Sequence, residues 1–307
     1  MLVTGVQMLS VAKQNGFAVP AFNISDYGML RECIRTAEDV GSPVILSIHP
    51  AEWALVGDEF MLSVLALAGN ATVPVCVQLD HGATLEQVVG AIRLGFTAVM
   101  IDGSLLDYTE NVALTRKVVE FAHAVGVSVE AEIGTIGERD PSSAAAFEAI
   151  QYTEPAEALQ FCQDTGIDYL AVAVGTCHGV YPKGVAPDLK LDLISEIAGL
   201  VGLPLVLHGG SGALDDQVTA AVGRGVAKLN ISADMKTAYF TRVREVLADP
   251  AEREPHDIYP PALARVRELV AHKMAVTKSV GTAGLYTAEV LAASAPGSVG
   301  EQVLLGF

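Results

Sequence analysis

The sequence predicts an α/β protein built as a closed (β/α)8 barrel with a C-terminal helical appendage, and three observations carry that expectation. Short β-branched runs alternate with amphipathic stretches along most of the 307 residues, strand before helix, eight times over. Six of the helical stretches stop at a glycine just before the next strand (Gly41, Gly95, Gly126, Gly166, Gly202 and Gly225), which is the left-handed stop expected after a helix. The first strand runs out into Asn23-Ile24-Ser25-Asp26, without the GxGxxG turn of a doubly wound dinucleotide-binding sheet.

In chain order, strands are expected at 17–24, 43–49, 73–81, 98–104, 128–134, 168–175, 204–210 and 226–232. The helices between and after them are expected at 27–40, 52–67, 85–94, 108–125, 155–165, 191–200, 214–224 and 234–247. Ser25 and Asp26 suit the cap of the first of these helices. Residues 135–153, with Pro141 and a run of three alanines, make a long connection after the fifth strand and read as an active-site loop. From Asp249 a Pro-rich link leads to one helix around 262–276 and an Ala/Gly/Ser-containing tail. The barrel is therefore assigned to 1–248 and the extension to 249–307, both as parts of one domain. Leu263, Val266, Leu269 and Val270 recur at helical spacing in the extension and must be covered by the barrel or by another subunit, so a homodimer or homotetramer is expected.

Composition narrows the partners. A chain that is 51% apolar and 18% charged can bury a large core. Its formal net charge of -17 argues against nucleic acid and against an anionic membrane surface. A small phosphorylated substrate stays compatible, because backbone N–H groups and a metal can hold a phosphate inside an acidic protein. No charge-free apolar run approaches the roughly 18 to 20 residues of a membrane span, and the N-terminus lacks a secretory signal pattern, so a cytoplasmic location is expected. Cys33, Cys76, Cys162 and Cys177 are scattered without CxxC spacing and indicate neither a disulfide framework nor a Cys-zinc site.

A barrel of this kind carries its active site at the C-terminal ends of the strands. The third strand ends Gln78-Leu79-Asp80-His81-Gly82, the fifth contains Glu130-Ala131-Glu132, and the sixth leads to Cys177-His178-Gly179. The seventh ends at His208, followed by Gly209-Gly210-Ser211-Gly212, and the eighth ends Asn230-Ile231-Ser232. Three histidines from three strand ends suit a catalytic zinc with three nitrogen ligands and an open position. The glycines after His208 admit backbone N–H groups to an anion, helped by the N-terminus of the next helix. Asp80 suits a proton-transfer group beside the metal, yet Asp80 and His81 are adjacent and would face opposite ways on an ideal strand. Capping of the following helix is the structural alternative for Asp80. His49 ends the second strand and points into the same mouth, whereas His123, His256 and His272 lie on helices or in the extension and suit packing or solvated roles.

The motifs QLDHG, AEIGTIG, VGTCHGVYPKG, LVLHGGSG and GVAKLNIS resemble, in order and spacing, those of the class II zinc-dependent ketose-bisphosphate aldolases, over roughly residues 1 to 285. The resemblance is closest to the branch containing tagatose-bisphosphate aldolase. It implies Zn2+ on His81, His178 and His208, with Glu132 as a close or alternate partner of the metal. It further implies Asp80 as the proton-transfer residue, with Asn230 in the catalytic group. The C1 phosphate of the ketose would be held by Gly179, by Gly209, Gly210 and Ser211, and by the turn Asn230, Ile231, Ser232 and Ala233. A monovalent cation, Na+ or K+, often lies near that phosphate in the family. The implied activity is reversible retro-aldol cleavage of a phosphorylated ketose, fructose or tagatose bisphosphate in type, to dihydroxyacetone phosphate and an aldehyde.

Two positions depart from the family pattern. Where relatives carry a Gly-Gly pair followed by a loop acid, this chain reads Gly137-Glu138-Arg139-Asp140, and ungapped counting puts Asp140 at the acid. Where relatives carry a serine or threonine against the distal part of the substrate, this chain has His49. A zinc hydrolase on the same barrel and a non-catalytic partner subunit are the alternative functions. Hydrolases of that kind usually show an HxH pair on the first strand, which Ala21-Phe22-Asn23 does not offer, and a non-catalytic subunit would be expected to lack the metal ligands.

Overall fold

The computed structural model describes residues 1–136, 150–179, 181 and 187–294. Eight parallel strands close on themselves in sequence order, each pairing with the next and β8 with β1, which is a (β/α)8 (TIM) barrel. The strands are β1 (Val19–Asn23), β2 (Val44–Ile48), β3 (Val75–Gly82) and β4 (Ala98–Ile101), then β5 (Ser128–Ile133), β6 (Tyr169–Val172), β7 (Leu205–Leu207) and β8 (Val226–Ile231). Before β1 lies α1 (Gly5–Asn15). The strands then alternate with α2 (Tyr27–Val40), α3 (Pro50–Asn70), α4 (Leu85–Leu94), α5 (Tyr108–Ala124), α6 (Pro155–Thr165), α7 (Leu191–Val201) and α8 (Asp215–Val222). After β8 come α9 (Ala233–Val246), α10 (Pro255–Val276), a 3-10 turn at Ala283–Leu285 and α11 (Ala288–Ala292). Among the described residues no helix is long and apolar enough to cross a membrane.

The strands are buried on both faces, and their two-residue period sorts the side chains into two cores. Val44, Leu46 and Ile48 of β2 and Val75, Val77 and Leu79 of β3 point outward into the layer shared with the helices. Ile45, Cys76, Ala98, Met100, Tyr169, Ala171 and Val206 point into the barrel. That inner core is closed from below by α1, whose Met8, Leu9, Val11 and Ala12 join it. The strand and helix alternation expected from residue 17 onward did not include α1. Its signal was nevertheless present: Thr4 accepts the Gln7 N–H while the Gln7 side chain accepts the Thr4 N–H, a capping box readable as T-x-x-Q.

The extension also differs from expectation. Its helix begins at Pro255 and runs through Pro260 and Pro261, so the segment read as a Pro-rich link is helical; Pro255, at the helix start, forfeits no hydrogen bond, whereas Pro260 and Pro261 lie inside the helix. Ala262, Leu263, Val266, Val270 and Met274 join the outer core, and Arg267 reaches the buried Glu32 of α2 with two donors at 2.6 and 2.9 Å. The apolar stripe is thus covered largely by the chain's own barrel.

Because α1 seals the inner core, Met8→Ala is expected to lower stability by about 2 to 5 kcal/mol, the usual range for a buried large-to-small change. Urea unfolding checks this. A midpoint within error of the parent protein would mean that α1 does not carry the base of the barrel.

Candidate active site

One constraint on β3 decides the geometry. Cys76, Gln78 and Asp80 follow the inward parity, so His81 should turn out. Instead the pairing of β3 with β4 shifts register between Leu79 and Gly82, and His81 takes a left-handed backbone conformation with φ 48°. Gly82 permits the bend, since a Cβ there would lie 2.7 Å from the Met100 carbonyl oxygen. The irregularity brings Asp80 and His81 to the same cavity, of about 680 Å3. Thr84, not Asp80, caps α4, accepting the Gln87 N–H.

His81, His178 and His208 converge in that cavity, with ligand nitrogens all within 4.8 Å of one another. The ring centroids of His178 and His208 lie 4.9 and 4.6 Å from that of His81. Two of the three rings are aimed by carboxylate neighbours. Asp102, just past β4, holds His81 Nδ1 at 2.8 Å, leaving Nε2 for the cavity. Glu130 of β5 holds His208 Nε2 at 2.7 Å, and the buried His208 Nδ1 has no hydrogen-bond partner. His178 Nε2 is likewise buried without a partner. An unpaired buried polar atom costs roughly 1 to 3 kcal/mol, so two at one point fit a metal that supplies the missing partner. Burial, then the neighbouring imidazoles, push His178 down to about 3, and burial also lowers His208. Both rings therefore present lone pairs, the form a divalent metal takes. Burial opposes protonation of His81 too, but the Asp80 and Asp102 carboxylates outweigh it and raise the ring to about 9. A metal must displace that proton.

A buried network fixes the His208 tautomer. Lys228 of β8 donates to Glu130 Oε2 at 2.7 Å, and Gln78 of β3 donates to the same oxygen at 2.7 Å. These bonds link strands that are not neighbours and so cross the barrel interior. Burial would raise the Glu130 carboxyl, but Lys228 and His208 hold it at about 2. An ionised Glu130 accepts the His208 Nε2–H, which leaves Nδ1 as the ligand atom.

Asp80 is buried and clamped from two sides, by the Asn23 amide at 2.7 Å and the Asn230 amide at 2.9 Å. Burial would raise its pKa; the positive charge of His81 and the other nearby donors outweigh it and hold Asp80 well below the usual carboxylate range. Glu132 behaves in the opposite way. Burial and the Asp102 charge push it up to about 8, and one of its oxygens has no partner. With His81 and Asp102 it forms a second cluster able to hold a metal.

Gly179, Gly209, Ser211, Ser232 and Ala233 also line the cavity, the two glycines directly after His178 and His208. Gly209 has φ 66°, and a Cβ there would meet the Cys177 carbonyl oxygen at 2.5 Å, so only glycine lets the two loops approach. Ser232, the residue at the N-cap of α9, makes no side-chain cap of its own. The Ser211 hydroxyl accepts the Ser232 and Asp234 N–H groups at 3.3 and 3.1 Å, joining the two loops. Gly210 and Ile231 do not line the cavity, and the Gly210 N–H is taken by the Asn230 carbonyl. His49 does line it, its ring 6.3 Å from that of His81. Glu52 and Lys236 stand beside it as an ion pair, and His49 and Lys236 together hold the Glu52 carboxyl at about 2 against burial. Asp140 lies outside the described residues.

Sequence reasoning assigned no role to Asn23, Asp102, Glu130, Lys228, Glu52 or Lys236. Asn23 and Asp102 stand at the ends of β1 and β4, where the strand-end rule could have found them.

A (β/α)8 barrel with three convergent imidazoles and a clamped carboxylate at its C-terminal mouth has the form of a barrel enzyme whose site could hold a metal ion. The family model "Fructose-bisphosphate aldolase class-II" matches residues 3–282, and the chain belongs to that family. It is 39% identical to a fructose-bisphosphate aldolase of Thermus caldophilus, over 92% of this chain and 100% of the relative. It is 40% identical to a probable fructose-bisphosphate aldolase of Bacillus subtilis strain 168, over 89% and 96%. The crystal structure of the YdjI aldolase from Escherichia coli K12 superimposes with a TM-score of 0.82 at 32% identity, covering 92% of this chain and 100% of that one. The chain is thus a class II aldolase, a lyase acting on a phosphorylated sugar, rather than a hydrolase or a ligand-less partner subunit.

Outside the metal cluster, Lys273 of α10 is buried and pairs with Asp234 at 2.8 Å, and Asp234 accepts the Gly212 N–H at 3.1 Å. The appended helix thereby braces the Gly209 to Gly212 turn. Lys273→Met is expected to raise KM for a phosphorylated donor about tenfold, the effect of losing about 1.4 kcal/mol, with zinc content unchanged. An unaltered KM in steady-state assays would remove this link.

Proposed function

We propose that this enzyme reversibly cleaves a ketose phosphorylated at C1 into dihydroxyacetone phosphate and an aldehyde, with Zn2+ on His81, His178 and His208 and with Asp80 moving the proton. The observation that carries the reading is the buried Asp80 carboxylate, clamped by Asn23 and Asn230 beside three imidazoles, two of which hold a buried, unpartnered nitrogen. Zinc bound there supplies a Lewis acid for the ketone oxygen. Asp80 accepts the proton of the C4 hydroxyl as the C4–O bond becomes a carbonyl, while the pair of the breaking C3–C4 bond stays with the C1–C3 fragment. Asn23 and Asn230 fix the direction of that transfer. Asp140, in the loop after β5, is assigned the proton that returns to C3.

The phosphate is assigned to backbone N–H groups of Gly179, Gly209 and Ala233 with the Ser211 and Ser232 hydroxyls, at the N-terminus of α9. Glu132 is assigned as an alternate metal partner through its unpartnered oxygen. The Na+ or K+ implied by the family belongs to the same reading, as does a homodimer or homotetramer. The exposed aromatics Tyr27, Phe240 and Tyr259 on α2, α9 and α10 support the oligomer.

Asp80→Asn is expected to keep one zinc per chain and lose turnover by about 100- to 10,000-fold, the usual contribution of a positioned proton-transfer group. Coupled detection of dihydroxyacetone phosphate checks it, and near-parental turnover would return Asp80 to a structural role. His178→Ala and His208→Ala are expected to lose stoichiometric zinc in chelator competition. Full zinc retention by both would overturn the ligand assignment.

A further inference from the structure

Of the three imidazoles, His178 is held differently. Asp102 and Glu130 fix the rings of His81 and His208, whereas no carboxylate among the described residues holds the His178 ring. The placing of that ring therefore falls to its main chain, and the main chain just before it is pinned. The buried Tyr181 phenol accepts the Cys177 N–H at 2.7 Å and donates to the Cys177 carbonyl oxygen at 3.1 Å. One hydroxyl thus engages both main-chain groups of the residue next to the ligand.

The same residue abuts the loop after β7. A Cβ on Gly209 would meet the Cys177 carbonyl oxygen at 2.5 Å, and Gly209 directly follows His208. Tyr181 extends the contact with its ring. A Cβ on Gly212, where φ is 72°, would lie 2.8 Å from Tyr181 Cδ2, so the ring rests on the turn that carries Ser211. Tyr181 is in this way a strut between the loop that bears His178 and the loop that follows His208, whose rings stand 6.0 Å apart. The motif VGTCHGVYPKG therefore contributes more to the site than His178 and Gly179.

We propose that Tyr181 is a positioning residue of the metal centre: its hydroxyl fixes the main chain of Cys177 and His178, and with it the spacing of His178 from His208, while its ring seats the Gly209 to Gly212 turn. This rests on the reading of His178 and His208 as zinc ligands and of that turn as part of the phosphate site.

Two readouts on the full-length protein follow the metal centre without turnover, namely zinc affinity by chelator competition and the visible d–d spectrum of the cobalt-substituted protein. Tyr181→Phe keeps the ring and removes the hydroxyl. Its zinc affinity is expected to fall by about 10- to 100-fold, the usual loss when a group that orients a ligand is removed, and its cobalt bands are expected to shift. At saturating zinc its KM for dihydroxyacetone phosphate is expected to stay within about twofold of the parent value. Tyr181→Leu removes the ring as well, and there KM is expected to rise about tenfold in addition to the loss of zinc affinity. Gly212→Ala drives a methyl group into the ring from the other side, and its zinc affinity is also expected to fall, which gives a second reading should Tyr181→Phe fold poorly. A merely structural role would lower the melting temperature and leave zinc affinity and the cobalt spectrum at parental values. That result in Tyr181→Phe and Gly212→Ala, with one zinc in the parent and none in His178→Ala, overturns the inference alone. Zinc retained by His178→Ala overturns the ligand reading and the inference with it.

Discussion

The site depends on the backbone at His81. A regular strand cannot present two consecutive side chains to one cavity, yet Asp80 and His81 both line it. The chain meets this by breaking register after Leu79 and holding His81 at φ 48°. A non-glycine residue in that region costs about 1 to 3 kcal/mol and persists only where its surroundings over-determine it. Here Asp102 fixes the ring, Gly82 lets the strand close on β4, and the two asparagines clamp Asp80.

A second constraint lies deeper. Glu130 and Lys228 are both fully buried, and breaking such a pair leaves a lone charge at a cost of about 3 to 5 kcal/mol. As a source of stability the pair is weak. As a device for orientation it is strong, because an ionised Glu130 at 2.7 Å determines which nitrogen of His208 keeps its proton and which is left without a partner. The inner core thus changes character along the barrel axis. Apolar side chains and α1 fill the base, the Gln78, Glu130 and Lys228 network fills the middle, and the reactive groups sit at the mouth.

How far the sequence was legible follows from which interactions are local. Strand runs with β-branched residues and glycine stops are local signals, and the alternation from residue 17 onward gave the closed barrel. His81, His178 and His208 could be read because each ends a strand or follows one in a recognisable motif, and all three reach one cavity. The relation of Asp80 to His81 could not be read, since parity alone says they diverge. Lys228 and Glu130 were illegible for another reason: they are 98 positions apart and meet only across the closed barrel. Pro260 and Pro261 misdirected the start of α10, because a proline inside a helix removes an i→i−4 hydrogen bond and is read as a breaker, yet both lie within the helix Pro255–Val276.

In the proposed assignment three imidazoles, those of His81 and His208 with their tautomers set by Asp102 and Glu130, make one metal centre. The direct test is anomalous diffraction at the zinc edge from crystals of the zinc-loaded protein. The expected result is one anomalous peak about 2.0 to 2.1 Å from His208 Nδ1, His178 Nε2 and His81 Nε2. A peak elsewhere, or one that engages His208 through Nε2 with Glu130 displaced, would contradict the account.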